Sequence, residues 1–125
     1  MKNKGISLTR LIKSFGYAFS GIRQMIVQEQ NAKIHLLAML IAVAAGFYFH
    51  LSATEWIAIV IVSGCVFAAE AFNTSIESLS NTISPAYNQS IKQVKDFAAG
   101  AVLVMSVTSI IVGLIVFLPK IMALP

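Results

Sequence analysis

The chain has 125 residues, 58% of them hydrophobic and 11% charged, with a formal net charge of +4 and a mean hydropathy of +0.82. A soluble domain carries about a quarter charged residues, so lipid is read as the main solvent, and the length allows one domain. A lone cysteine excludes a disulfide framework and a Cys-based metal site, and no basic tract with interleaved aromatics supports nucleic-acid binding.

Residues 1–7 form a polar lead. From Leu8 to Gln28 the spacing predicts a helix: Ile12, Phe15, Phe19, Ile22 and Ile26 recur at three- and four-residue steps, opposite Arg10, Ser14, Tyr17, Gly21, Gln24 and Gln28. Such an amphipathic, basic helix suits a membrane interface, where it would be an anchor or part of a site. It lacks a small-residue cleavage site and is not read as a signal peptide.

Three spans are expected next, at about 34–50, 55–81 and 96–118. Ile34 to Phe49 holds no Asp, Glu, Lys or Arg, and Lys33 can snorkel at its start. His50, Ser52 and Thr54 make a polar break with Thr54 as the expected N-cap, and Trp56 suits a membrane interface. Cys65, inside the second apolar run, is read as a small core residue. Ser84-Pro85 marks a turn into a polar loop over 84–92. Phe97 to Leu118 is again free of charge, with Ala98, Ala99, Gly100 and Ala101 permitting close helix packing.

Basic residues set the expected orientation. Lys2, Lys4, Arg10, Lys13, Arg23 and Lys33 precede the first span, Lys92 and Lys95 lie in the second loop, and the 50–55 turn has none. The N-terminus and the 82–96 loop are therefore expected in the cytoplasm, with the 50–55 turn and the C-terminus outside.

The whole chain has five acids, Glu29, Glu55, Glu70, Glu77 and Asp96, and all but Glu55 fall on the cytoplasmic side of this topology. Glu55 is read as a solvated acid at a helix start. On a helix, Glu70, Asn73, Thr74, Glu77 and Asn81 lie within roughly 100° of one another. Glu70 is ~21 Å along the helix from Trp56, and Glu77 ~10 Å further. In a hydrocarbon core ~30 Å thick, Glu70 then sits near the inner boundary and Glu77 among headgroups. Polar residues in spans often only join helices. Two glutamates and an asparagine in one stripe point instead to function, since ionisable groups within spans are expensive.

The pattern does not name the reaction; a lipid-headgroup chemistry and a proton or ion pathway both fit. Glu29 lies at headgroup depth and could join Glu77 around Mg²⁺, which is held by one or two carboxylates plus phosphates. No phosphate-cradling glycine loop occurs, so a nucleotide would be held by scattered groups. Lys95-Asp96 offers an adjacent cation and anion, or merely a cap and anchor.

Glu70-Ala71-Phe72-Asn73-Thr74-Ser75-Ile76-Glu77 closely resembles the signature of the bacterial integral-membrane diacylglycerol kinase and undecaprenol kinase family. Lys95-Asp96-Phe97-Ala98-Ala99-Gly100-Ala101-Val102 resembles its second block, and Phe15-Gly16-Tyr17-Ala18-Phe19 with Gly21, Arg23 and Glu29 its N-terminal block. The likeness covers nearly the whole chain in the right order.

The resemblance implies an all-α kinase of the bacterial inner membrane: one interfacial helix, three transmembrane helices, and a homotrimer with active sites shared between subunits. It implies ATP and Mg²⁺ as donor and metal, and a membrane lipid alcohol as acceptor. Glu70 would be the general base, and Glu29 and Glu77 would hold Mg²⁺ and through it the phosphates. Arg10, Tyr17, Lys95 and Asp96 match nucleotide-contacting positions, and residues 86–88, with Tyr87 and Asn88, align with a nucleotide-contacting loop. Arg10, Arg23, Lys33 and Ala99 would lie along the lipid, with Asn73 and Thr74 supporting the base or the metal shell. Asn81 stands where many relatives carry an acid. Asn31-Ala32-Lys33-Ile34-His35 and Ser84-Pro85 look more like the undecaprenol branch, with diacylglycerol as the alternative lipid. His35 is read as a headgroup contact or a packing residue. A non-catalytic conducting oligomer is the third reading.

Overall fold

The computed structural model describes residues 5–125; Lys2 and Lys4 and most of the polar lead fall outside them. The described chain folds into four helices: α1 (Leu8–Gln28), α2 (Gln30–Tyr48), α3 (Ala53–Ile83) and α4 (Gln89–Met122). The last three are each long and apolar enough to cross a membrane. All three outrun the bounds expected from hydropathy at one or both ends, because polar residues such as Gln30, Asn31, Gln89 and Lys92 continue the helices beyond the apolar runs.

α1 and α2 are separated by one residue. Glu29 has φ −99° and ψ 122°, an extended conformation that ends α1 and starts α2 in a single step. α2 ends at Tyr48, where His50 takes φ 53°, a left-handed conformation uncommon outside glycine. The hairpin then enters α3 through Ser52, not Thr54. Ser52 Oγ accepts from the Glu55 N–H at 3.2 Å, and Glu55 Oε1 accepts from the Ser52 N–H at 3.0 Å. This reciprocal capping box satisfies two otherwise orphaned donors and leaves Thr54 inside the first turn.

α3 and α4 share the most extensive packing in the chain, with α2 against α3 next. Leu51, Ile59 and Val116 form a small core, with Trp56 and Phe117 against it. Trp56 also covers Gly46 of α2 so closely that a Cβ there would fall 2.5 Å from the ring. At the same end Lys120 Nζ lies 3.2 Å from Glu55 Oε2, so Glu55 is paired as well as capping.

The buried residues of α3 are Ile59, Val62, Val66, Glu70 and Ser80, spaced so that they share one face. Cys65 lies about 100° off that face and is exposed, which overturns its reading as a core residue. Most large apolar side chains, including Phe15, Phe19, Phe72 and Phe97, are uncovered by their own chain. Apolar exposure on this scale marks surfaces met by lipid or by other chains.

Candidate active site

The inward face of α3 changes chemistry part-way along. It is aliphatic at Ile59, Val62 and Val66, then turns polar at Glu70. Glu70 is 1% exposed, the deepest large side chain among the described residues. Its Oε2 and the Oγ1 of Thr74, one turn on, are buried without a hydrogen-bond partner. Buried polar atoms are nearly always paired, so two adjacent orphans mark a place prepared for something else. Asn73 is half-buried on the same face.

α2 brings His35 to this carboxylate. Its Nε2 stands 3.8 Å from Glu70 Oε2, beyond hydrogen-bond range. From this crossing the antiparallel helices carry two more acids to one level. Glu29 precedes His35 by about 9 Å of chain rise, and Glu77 follows Glu70 by about 10 Å. The charges of both act on Glu70. Glu77 shares the face of Glu70 but is exposed.

Glu29 is an N-cap whose carboxylate does not cap. Its backbone N–H donates to Met25 O at 2.9 Å and its carbonyl accepts from the Lys33 N–H at 3.3 Å. The side chain makes no capping hydrogen bond, which leaves the carboxylate uncommitted to the helix end. Two carboxylates free at one level suit a hard divalent cation that completes its shell with phosphate and water. No group of three His, Cys, Asp or Glu side chains among the described residues forms an all-protein cage.

A second assembly lies where α3 passes to α4. Asn81, Pro85, Tyr87, Asn88, Lys95 and Asp96 line a cavity of about 350 Å³. Lys95 Nζ donates to Asn81 Oδ1 at 2.8 Å. Asp96 pairs with Lys92 at 2.6 Å rather than acting as the partner of its neighbour. The Asn88 side chain caps α4, accepting from the N–H groups of Ser90 and Ile91 at 2.9 and 3.1 Å. The loop is therefore shorter than expected, since α4 begins at Gln89. Tyr87 donates to Gln89 Oε1.

Other expected site residues stand apart. Arg10, Tyr17 and Arg23 are exposed on α1, whose buried residue is Met25 in its last turn. Arg10 is about 28 Å along α1 from Glu29. Lys33 and Ala99 are exposed on α2 and α4. Within one chain, then, Glu29, His35, Glu70, Thr74 and Glu77 gather, and the residues around Lys95 gather separately. Ser80, 4% exposed on the polar face, was not anticipated, although its spacing from Glu70 and Glu77 would have found it.

An apolar cavity of about 540 Å³ opens between α2, α3 and α4. His35 lines it, as do Ala42, Phe49, Val62, Val66 and Phe117. From His35 to Phe49 it follows α2 for about 21 Å.

The sequence profile described as prokaryotic diacylglycerol kinase matches residues 16–117. The undecaprenol kinase of Bacillus subtilis (strain 168) is 40% identical over 113 residues, covering 90% of this chain and 92% of that protein. The diacylglycerol kinase of Synechocystis sp. is 32% identical over 124 residues, covering 98% and 71%. That of Escherichia coli (strain K12) is 26% identical over 111 residues, covering 89% and 91%. With its polar site and its three membrane-length helices, the chain belongs to the prokaryotic diacylglycerol kinase family and is a membrane lipid kinase.

Proposed function

We propose that this kinase transfers the γ-phosphoryl group of ATP to the hydroxyl of undecaprenol at the cytoplasmic face of the inner membrane, as a homotrimer with a cytoplasmic N-terminus. The observation that carries the reading is the buried Glu70 carboxyl, whose Oε2 has no hydrogen-bond partner, under the charges of Glu29 and Glu77 and next to His35, which lines an apolar cavity. The undecaprenol assignment rests on the 40% identity to the Bacillus subtilis enzyme. The relatives named diacylglycerol kinase make diacylglycerol the second acceptor to test.

Phosphoryl transfer demands mainly positioning and charge neutralisation. Glu70 accepts the proton of the lipid hydroxyl as that oxygen bonds to the γ-phosphorus and the bond to the β-phosphate oxygen breaks, releasing ADP. Glu29 and Glu77 would hold Mg²⁺, which neutralises phosphate charge and fixes the donor. Lys95 faces the developing negative charge, steadied by Asn81. Asn73 and Thr74 support the base or the metal shell, Tyr87 and Asn88 shape the nucleotide edge, and Asp96 restrains Lys92. Lys33, Arg23 and Ala99 border the lipid. Arg10 and Tyr17, remote from Glu70 in their own chain, would serve a neighbouring subunit's nucleotide while α1 lies along the membrane surface.

The test incubates purified protein with labelled ATP and either undecaprenol or diacylglycerol in matched micelles. Faster labelling of undecaprenol supports the assignment. Preference for diacylglycerol selects the alternative, and labelling of neither lipid overturns both.

A further inference from the structure

We propose that His35 is a positioning residue for Glu70: its Nε2–H holds Oε2 of the carboxylate, turning Oε1 toward the hydroxyl that arrives from the apolar cavity. The inference rests on Glu70 being the base.

Three observations place the imidazole in this role. Glu70 Oε2 is buried with no hydrogen-bond partner, a state that costs about 1–3 kcal/mol and that few native groups retain. His35 Nε2 at 3.8 Å is the polar atom poised to relieve it; closure by under 1 Å makes a hydrogen bond of ordinary length. His35 is also partly exposed, 19% against 1% for Glu70, and it lines the cavity while Glu70 does not. The imidazole therefore stands between the cavity and the carboxylate, and a substrate filling the cavity presses on it. No covalent step involves His35, and neutral imidazole with its proton on Nε2 suffices.

Of the other charged groups near this carboxylate, Glu29 and Glu77 can only accept, so neither can replace the donor. Thr74 could donate its hydroxyl proton, but its Oγ1 has no partner in this arrangement. A histidine serving only to fill space between helices would be replaceable by an apolar side chain of similar size.

Steady-state kinetics of His35→Leu and His35→Gln decide the matter. Gln carries an amide N–H close to the reach of Nε2; Leu fills the space without a donor. Misplacing a catalytic group by about 1 Å costs as much as 100-fold, so His35→Leu should lose about 10-fold to 100-fold in kcat, with KM for lipid and ATP moving less. His35→Gln should recover most of that loss. In a Glu70→Asp background, the further loss from His35→Leu should shrink, because coupled residues are non-additive. Equal kcat in His35→Leu and wild type overturns the proposal, as does equal loss in the Leu and Gln variants. If Glu70→Gln itself keeps full activity, the base assignment fails instead, so the two failures are distinguishable.

Discussion

Lys95 of α4 donates to the Asn81 amide oxygen of α3 at 2.8 Å, tying the α3–α4 hairpin at the end opposite the Lys120–Glu55 pair. Asn81 is uncharged, yet its amide oxygen accepts from the ammonium. It holds Lys95 without neutralising it, so in the proposed reaction a full positive charge would remain for phosphate. Asn81→Ala should free the lysine and raise KM for ATP about twofold to fivefold, as expected for a partly exposed charged hydrogen bond worth about 0.5–1 kcal/mol. Lys95→Met should raise it further. ATP titrations at saturating lipid check both, and an unchanged KM in Lys95→Met would remove this cavity from the nucleotide site.

Glu70→Gln tests the base. The amide keeps the shape of the side chain but cannot take a proton at neutral pH. Loss of a general base costs about 10²- to 10⁴-fold, and turnover should fall by that much. Chain folding should persist, since the substitution also removes a charge from a buried position. Retained helicity and an unchanged elution volume, with lipid phosphorylation near background, is the expected outcome. Full turnover would refute the assignment.

Much of this was legible from residue spacing. Recurring apolar residues gave α1 its observed limits, and the run of Glu70, Asn73, Thr74 and Glu77 marked a polar face of α3 that the fold buries at Glu70 and leaves open at Glu77. What spacing could not supply was the register between helices. α2 is apolar on nearly every face, so nothing in its sequence says which residue meets Glu70, and His35 emerges only when α2 is laid on α3. Local choices were hidden for a similar reason. Ser52 and Thr54 both offer a capping hydroxyl, and Ser52 is the one that caps. Asp96 has lysines one and four residues before it, and the helix favours the i−4 partner.

Metal dependence separates Glu29 and Glu77 from the base. Neither carboxylate is consumed by capping or by an ion pair to a lysine or arginine among the described residues. Glu29→Gln and Glu77→Gln should each raise the Mg²⁺ concentration for half-maximal activity about 10-fold or more, since each removes one of the two proposed protein ligands. Excess Mg²⁺ should partly rescue the single variants and fail to rescue the double. A Mg²⁺ curve that superimposes on wild type in either variant would exclude that residue as a ligand.

Stability at the opposite end turns on Gly46. A Cβ there would stand 2.5 Å from the Trp56 ring, which also packs against Phe47 with centroids 5.0 Å apart. Gly46→Ala should therefore destabilise the fold by about 1–3 kcal/mol, the usual cost of overpacking. Trp56→Leu should offset part of that loss by making room. Thermal or denaturant unfolding in detergent measures both. An unshifted midpoint in Gly46→Ala would mean that α2 and α3 can separate at this crossing without cost.

The separation of Arg10 from Glu70 yields the strictest test of a shared site. α1 leaves the helix pack at its last turn, where Met25 is buried, and Arg10 lies about 22 Å along it from Met25. If that arginine completes a neighbour's nucleotide site, Arg10→Ala and Glu70→Gln chains are each defective alone but complementary when co-assembled. In a cyclic trimer formed from equal amounts, about a quarter of the sites pair an intact Arg10 with an intact Glu70 from different chains. Co-reconstituted mixtures should then regain roughly that fraction of wild-type turnover. Sites contained within single chains would regain nothing, and the mixture would show only the average of the two defective proteins.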